Sequence, residues 1–537
     1  MRRFLSRVVF LGFFLGLAFG VLRLAFAQSN LALPAWVPGS WGQALQAPLL
    51  PSILNGQTPA SIPQVSVVPD ASGQISSYEP GGAVTTLGPG GNAFFQSLGS
   101  NGRTCFSCHQ PQNGWSITPR SVSAIYYNTK GRDPVFAPVD GSNCPNLGAA
   151  AVQPGPQFIA ARSQLFNRAN FRIFLPQPPV HDWISVTATR DPTGCELNPV
   201  YGLPAGFGSF YRRVLPSANT NFLLPSGGGA AFDIMWDSRE PSLQSQFLDA
   251  TLVHAQATPA QAAAVTAGMI AQGVTFQNGN FTAQSYDLLA GDLTGGDGSG
   301  AQGGPIPELL LPAADIHAPK LPLGCGAPPK VACIAGEAQT FDIYNVFSSV
   351  QQPWTASARA SIQRGQIIFN TRVFTIINVR GLNDAKGQAL SPGTCATCHN
   401  TVDVGNDFFD TPKDTGVMDS TSNVLPPAPD LPLFTFLCPL GSLSSAFVSY
   451  SNPVTVNGVV YDQFQTTDPG VGWITGKCAD LGKMKVPVLR GLAARAPYFH
   501  GGNVSNLSNL VDFYNRRFNI GFSVQDEQDL VNFLNTL

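Results

Sequence analysis

The sequence predicts a mainly α-helical protein: two small helical domains, each built around one short Cys-rich turn, with long loop-rich insertions. Three observations carry that prediction. The stretch Thr104-Cys105-Phe106-Ser107-Cys108-His109 recurs in outline as Thr394-Cys395-Ala396-Thr397-Cys398-His399. Helical patterns lead into each copy and follow the second. The 55 Gly and 45 Pro, with only 12% charged residues, place loops around modest helices.

Each copy is a CxxCH, the spacing at which two thiols add across the vinyl groups of one haem while the next His turns back to ligate the iron. One such segment alone could also be a redox dithiol or half a zinc site. Two copies, both with the His in place, favour a di-haem c-type cytochrome. In that reading Cys105, Cys108, Cys395 and Cys398 tether two covalent haems, and His109 and His399 are the proximal ligands. Each helical domain is then cytochrome c-like.

The N-terminus sets the compartment. Arg2, Arg3 and Arg7 precede an apolar run from Val8 to about Val21, and Ala25-Phe26-Ala27 supplies an AxA cleavage site. Residues 1–27 therefore read as a cleaved signal peptide, and the mature protein as periplasmic or secreted. Losing Arg2, Arg3, Arg7 and Arg23 lowers Lys+Arg from 30 to 26 against 32 Asp+Glu, a net charge of about −6. No basic stripe is left for nucleic acid. Six cysteines remain besides the tethers, and in an oxidising compartment they suggest disulfides. Proximity in sequence pairs Cys144 with Cys195, Cys325 with Cys333 and Cys438 with Cys478.

Residues 28–335 form the predicted N-terminal haem domain with its insertion and linker. An extended arm runs to about Gly91, and a short helix over Asn92–Gly99 delivers the chain to the first CxxCH. Trp115 follows as a haem-packing aromatic. Ser121 to about Gly229 is an insertion with few helix signals, where Phe171–Leu175 fits a short strand or buried loop. Helical character returns at 232–264, with Leu243, Phe247, Ala250 and His254 on one face. Gly and Pro crowd the stretch from Ala290 to about Lys330, as in an interdomain linker. The C-terminal haem domain spans 336–537. It opens with a helix over Ala358–Asn370 and ends with two more. One carries Leu507, Leu510, Val511 and Tyr514 on a stripe; the other is capped by Ser523 and Asp526 and buries Leu530, Val531 and Leu534.

With the two CxxCH sites, Met235-Trp236-Asp237-Ser238-Arg239 and the pair Val486-Pro487-Val488-Leu489-Arg490 and Pro497-Tyr498-Phe499-His500 complete a pattern. It resembles the bacterial di-haem cytochrome c peroxidase and MauG superfamily, and also the di-haem rubber oxygenases. The resemblance covers about residues 90–120, 230–256 and 358–537. It implies one haem for electron transfer and one that meets hydrogen peroxide or dioxygen. It also implies a small redox protein, a cytochrome c or a cupredoxin, as electron donor. A homodimer and an interfacial calcium ion come with it, although no carboxylate cluster in the sequence marks a calcium site.

Carried over residue by residue, Trp236 falls on the family's Trp between the haems. Tyr514 falls on the distal-ligand position of the C-terminal haem, which is Met in the peroxidases and Tyr in MauG. His500 competes with it as sixth ligand or serves as a hydrogen-bond partner near the propionates, and Met484 is a weaker candidate. His254, 18 residues after Trp236, is placed in the distal pocket of the N-terminal haem as acid/base or ligand. The peroxidases' catalytic Glu falls on Gln256, which cannot take a proton from peroxide. The reading is a periplasmic di-haem oxidoreductase that reduces hydrogen peroxide. MauG- or rubber-oxygenase-like oxidation of an organic or polymeric substrate, and a non-catalytic electron-transfer cytochrome, are the alternatives.

Overall fold

The computed structural model describes residues 64–82, 90–144, 149–195, 206–223, 234–306, 340–348, 353–407 and 411–537. The predicted signal peptide, His317 and the Cys325 and Cys333 pair fall outside them. All described residues lie within one compact unit, Ala47–Leu537.

Burial alternates along several stretches rich in β-branched and aromatic residues. In Val459–Thr466 the buried side chains are Asp462, Phe464 and Thr466; in Leu433–Pro439, Phe434, Phe436 and Cys438 share one face. A period of two with one apolar face marks a strand that covers a core. Such strands form four sheets, and 34% of the described residues are helical against 19% strand. The expected mainly α fold of two cytochrome c-like helical domains is therefore incorrect. The expectation failed because helical stripes are local, whereas two of the pairings that build these sheets join strands about two hundred or more residues apart, as when Tyr78 faces Phe281 and Phe434 faces Ala188.

The first sheet is the hairpin β1 (Val65–Pro69) and β2 (Gly73–Tyr78), extended by β6 (Phe281–Asp287) and β7 (Gly291–Asp292). This part of the predicted surface arm is thus a sheet edge. β3 (Asn170–Pro176), which contains Phe171–Leu175, pairs with β5 (Phe207–Arg213). β8 (Phe374–Ile377) pairs with β9 (Leu390–Gly393) beside the second CxxCH. In the fourth sheet β4 (Ser185–Arg190), from the insertion, lies against β10 (Leu433–Pro439), followed by β12 (Val459–Thr466) and β11 (Pro453–Val456). Its inner face packs Trp183, Phe210, Phe434, Phe436, Phe464 and Trp473 together. Disulfides join Cys144 to Cys195 and Cys438 to Cys478, as proximity predicts.

The longer helices are α1 (Pro119–Thr129), α2 (Ser163–Arg168), α3 (Leu243–Val253), α4 (Ala267–Gly279), α5 (Ala356–Thr371), α6 (Leu507–Phe518) and α7 (Val524–Leu534). α1 lies in the insertion that showed few helix signals, with Thr118 capping Ser121 and Pro119 in the first turn. Asn92–Gly99 holds only a 3₁₀ turn, Ala93–Phe95. α7 starts at the predicted Ser523 and Asp526 capping box. α5 and α7 pack around Ile362, Phe369, Leu530, Phe533 and Leu534, and they meet at Gly365, where an added Cβ would lie 2.0 Å from the Asp529 carbonyl oxygen. Residues 290–306 of the predicted linker are packed, not loose. Ala290, Leu293 and Ala301 are buried, and Arg359 donates to Ala290 O at 2.9 Å and pairs with Asp297 at 2.6 Å.

Candidate functional site: two cavities sharing one wall

Both CxxCH segments fold into the same object. Cys105–Ser107 and Cys395–Thr397 are 3₁₀ turns, each preceded by a Thr in extended conformation. The Thr104 N–H donates to Ser107 Oγ at 3.1 Å and the Thr394 N–H to Thr397 Oγ1 at 2.9 Å, so a hydroxyl residue within each CxxC locks its own turn. The following His then folds back, His109 N donating to Cys105 O at 3.0 Å and His399 N to Cys395 O at 3.2 Å.

Each imidazole is fixed in the same way. His109 Nδ1 lies 2.9 Å from Trp115 O and His399 Nδ1 lies 2.6 Å from Gly405 O. A carbonyl only accepts, so Nδ1 carries the proton in both rings and Nε2 keeps its lone pair. Ser217 Oγ is a second neighbour of His109 Nδ1, at 2.9 Å. A Phe ring stands 54° to each imidazole, Phe94 at 6.2 Å from His109 and Phe369 at 6.4 Å from His399. Burial lowers both His to about 4, so both rings are neutral near pH 7. Trp115, expected against a haem, instead sits in a Phe94, Phe106 and Phe276 cluster and reaches the site through its carbonyl.

Each turn opens onto a largely apolar cavity. The N-terminal cavity, about 1490 Å³ counted to its mouth, is lined by Cys105, Cys108 and His109; the C-terminal one, about 1670 Å³, by Cys395, Cys398 and His399. The four cysteines form no disulfide, and burial pushes Cys105, Cys108 and Cys395 up to about 12. Thiols held protonated are poor redox dithiols, whose chemistry needs the thiolate. Among the described residues no three His, Cys, Asp or Glu side chains converge to hold a metal ion, so neither a zinc site nor the expected calcium ion has such a ligand set there. Two unbridged thiols beside a neutral imidazole with free Nε2, facing an apolar space, do fit a covalently held haem. In metal sites a ligating His commonly donates its other N–H to a carbonyl or carboxylate, as both do here.

The two cavities share a wall. Arg213, Val214, Leu215, Pro216, Trp236, Lys485, Pro487 and Val488 line both. Trp236 is pinned in that wall: its indole N–H donates to Arg213 O at 2.8 Å, and its carbonyl accepts from Lys485 N at 3.0 Å. The neighbouring Asp237 anchors the segment through Arg212, at 2.5 Å, which also holds Asp468 in a two-point pair at 2.6 and 2.8 Å. Burial alone would raise the Asp237 carboxyl, but Arg212 and Arg239 hold it below its usual range.

Tyr514 and His500 both line the C-terminal cavity. Burial raises the Tyr514 hydroxyl, with Cys398 and Cys395 adding to the effect, and all three line the same cavity. His500 stands 6.1 Å from Trp236, is buried, and has no partner for Nε2. Met484 also lines this cavity. His181 is stacked on Trp183 in an exposed loop, far from any such role.

In the N-terminal cavity the face predicted for α3 is present: Leu243, Phe247, Ala250 and His254 all line it. His254 ends the helix, and its Nδ1 lies 2.5 Å from Asp140 Oδ2. Gln256 does not line the cavity. It is exposed on the next turn, at φ 54°, where its carbonyl accepts from Ser100 Oγ at 2.7 Å. Three further lining residues escaped the sequence reading: Asp140, Arg103 and Gln246. Arg103 was within reach, standing two residues before Cys105, but nothing local ties Asp140 to His254.

No family model matches the chain. The cytochrome-c peroxidase IdrP1 of Pseudomonas sp. (strain SCT) is 35% identical over 81 residues, 13% of this chain and 21% of that protein. The cytochrome c551 peroxidase of Nitrosomonas europaea is also 35% identical over 81 residues, 14% of this chain and 24% of that protein. The chain thus spans about a fifth to a quarter of the curated relatives it matches. The crystal structure of a MauG-like protein associated with microbial copper homeostasis overlaps 83% of this chain and 87% of its own at 14% identity, with a TM-score of 0.34, too low to define a shared fold. Both sequence matches carry the name peroxidase, and the chain resembles the di-haem cytochrome c peroxidase and MauG superfamily.

Proposed function

We propose that the protein is an exported di-haem c-type oxidoreductase that reduces hydrogen peroxide with electrons from a small redox protein. The observation that carries this reading is Trp236 in a wall common to two cavities, each with a CxxCH turn and a tied, neutral imidazole. When bound, the haems would supply the redox chemistry, one receiving electrons and one meeting peroxide.

The chain's own residues divide the remaining work. Cys105 and Cys108, and Cys395 and Cys398, hold the groups covalently, while His109 and His399 present Nε2 to them. Trp236 gives the two sites an aromatic bridge whose orientation is set by the Arg213 carbonyl. In the C-terminal site Tyr514 would be the ligand, carried with Leu510 and Val511 on the stripe of α6 that lines the cavity, whereas His500 lies against Trp236. A phenolate oxygen there would favour ferric over ferrous iron. In the N-terminal site His254 is the acid/base for peroxide, Gln256 being outside the cavity. Export by residues 1–27, one haem for each of residues 28–335 and 336–537, and a homodimer are parts of the same proposal.

One observation favours a second reading, oxidation of an organic or polymeric substrate. The residue on the peroxidase Glu position, Gln256, is exposed and offers the cavity no base. An electronic spectrum of the ferric protein followed by turnover separates the cases. A high-spin band that shifts with cyanide, with peroxide-dependent oxidation of a reduced small cytochrome, is the expected result. Turnover of polyisoprene without that oxidation would transfer the assignment to the second reading. Two low-spin centres unchanged by peroxide or cyanide would leave an electron carrier.

A further inference from the structure

Asp140 sits on the single helical turn Pro138–Gly141, buried and 114 residues from His254 in sequence. Its two carboxylate oxygens have different partners. Oδ2 takes His254 Nδ1 at 2.5 Å, and Oδ1 takes the Arg103 guanidinium in a buried ion pair. Arg103 is itself immobilised, with Nε donating to Pro134 O at 2.8 Å and Nη2 to Val135 O at 2.8 Å and Ala137 O at 3.2 Å. The His254 backbone is held from the same side, its carbonyl accepting from Asn101 Nδ2 at 2.8 Å and Arg103 Nη1 at 3.3 Å. Ring and backbone are therefore both fixed while the ring borders the cavity that contains His109.

We propose that Asp140, anchored by Arg103, is a positioning residue that keeps His254 in its Nδ1–H tautomer with Nε2 turned to the cavity as the proton acceptor for an acidic ligand, HX, entering the cavity that His254 and His109 both line. This rests on the functional reading above for the identity of HX. For hydrogen peroxide, Nε2 takes the proton of one oxygen and returns it to the other as the O–O bond breaks, so that the second oxygen leaves as water. The two electrons come from the small redox protein, and the retained oxygen takes two further protons from solvent and leaves as a second water. A carboxylate on the far nitrogen both selects the tautomer and raises the basicity of the near one. The charged groups facing His254 are Asp140 and Arg103 across from its helix, and the titratable His109 lies across the cavity; Asp249 on its own helix is engaged by Arg239.

The test uses the holoprotein and cyanide, because HCN must also lose its proton to bind and needs no turnover. Asp140→Asn is expected to slow cyanide association by about 10–100-fold, as His254→Gln does, and to change its pH profile, while the double variant is no slower. Asp140→Glu is expected to recover part of the rate. If loss of the carboxylate prevents folding, ¹⁵N shifts of the wild-type His254 ring in the ferrous carbonyl form decide the matter: Nδ1–H supports the assignment and Nε2–H overturns it. An Asp140→Asn protein with wild-type cyanide kinetics and pH profile overturns it equally. Wild-type peroxide turnover is read separately, so its absence would remove the peroxidase reading while the cyanide and ring data still judge Asp140.

Discussion

Gly365 offers the sharpest test of how α5 and α7 build the C-terminal cavity. A Cβ there would stand 2.0 Å from Asp529 O, 2.6 Å from Asp529 C and 2.7 Å from Phe533 Cβ, and two of those three are backbone atoms that cannot rotate away. Real carbons come no closer than about 3.0 Å, so Gly365→Ala forces the helices about 1 Å apart. Overpacking of that kind costs about 1–3 kcal/mol, and Ala returns about 1 kcal/mol of helix propensity. The net is a destabilisation of up to about 2 kcal/mol, read as a lower urea midpoint with an unchanged slope. Gly268→Ala is the matched control: it sits in exposed α4, its nearest foreign atom is 3.7 Å away, and it should stabilise by about 0.5 kcal/mol. A Gly365→Ala protein as stable as the parent, beside a stabilised Gly268→Ala, would refute the close-packing account.

Three further outcomes follow from the geometry. Trp236→Ala should cost about 3 kcal/mol through the cavity it leaves, keep both centres attached, and slow electron exchange between them; unchanged exchange in stopped-flow reduction would rule out the bridge. Tyr514→Phe should change the absorption of one centre only and move stability by less than about 1 kcal/mol, whereas the same change on His500→Phe alone would make His500 the ligand. Glu79 is buried, its Oε2 has no partner, and burial raises its carboxyl to about 7 from an ordinary 4.5. Between those values the folded chain binds more protons than the unfolded one, so stability falls as pH rises from about 5 to 8. Glu79→Gln should remove that slope and gain about 1–2 kcal/mol at pH 8, after allowing for solvent screening; parallel urea-midpoint curves for the two proteins would contradict it.

The parts of the site that could be read from sequence are those whose chemistry is local. A CxxCH spans six residues with its Thr, whereas the hydroxyl that locks each turn, Ser107 or Thr397, escaped the sequence reading although both copies share a T-x-x-[ST] pattern. The stripes of α3, α6 and α7 were legible because three or four residues suffice to define a helical face. The long-range sheet pairings were not, since β4 and β10 meet at Ala188 and Phe434, nearly half the chain apart. Asp140 escaped for the same reason. Gln256 shows the opposite failure: counting 20 residues from Trp236 assumes an unbroken path, but α3 ends at Val253 and the chain turns left-handed at Gln256, carrying its side chain out of the cavity.

The sheet shared by β4 and β10 limits how this protein can be taken apart. Beads-on-a-string modularity would let an engineer express either CxxCH-containing stretch as a separate protein. Here the insertion supplies the strand that shields β10, with Trp183 stacked on Trp473 beneath it. Cutting the gene between the two CxxCH codons would bare a long apolar strand edge, an invitation to aggregate. A single-centre derivative is better made by replacing the cysteines of one turn and leaving the polypeptide whole.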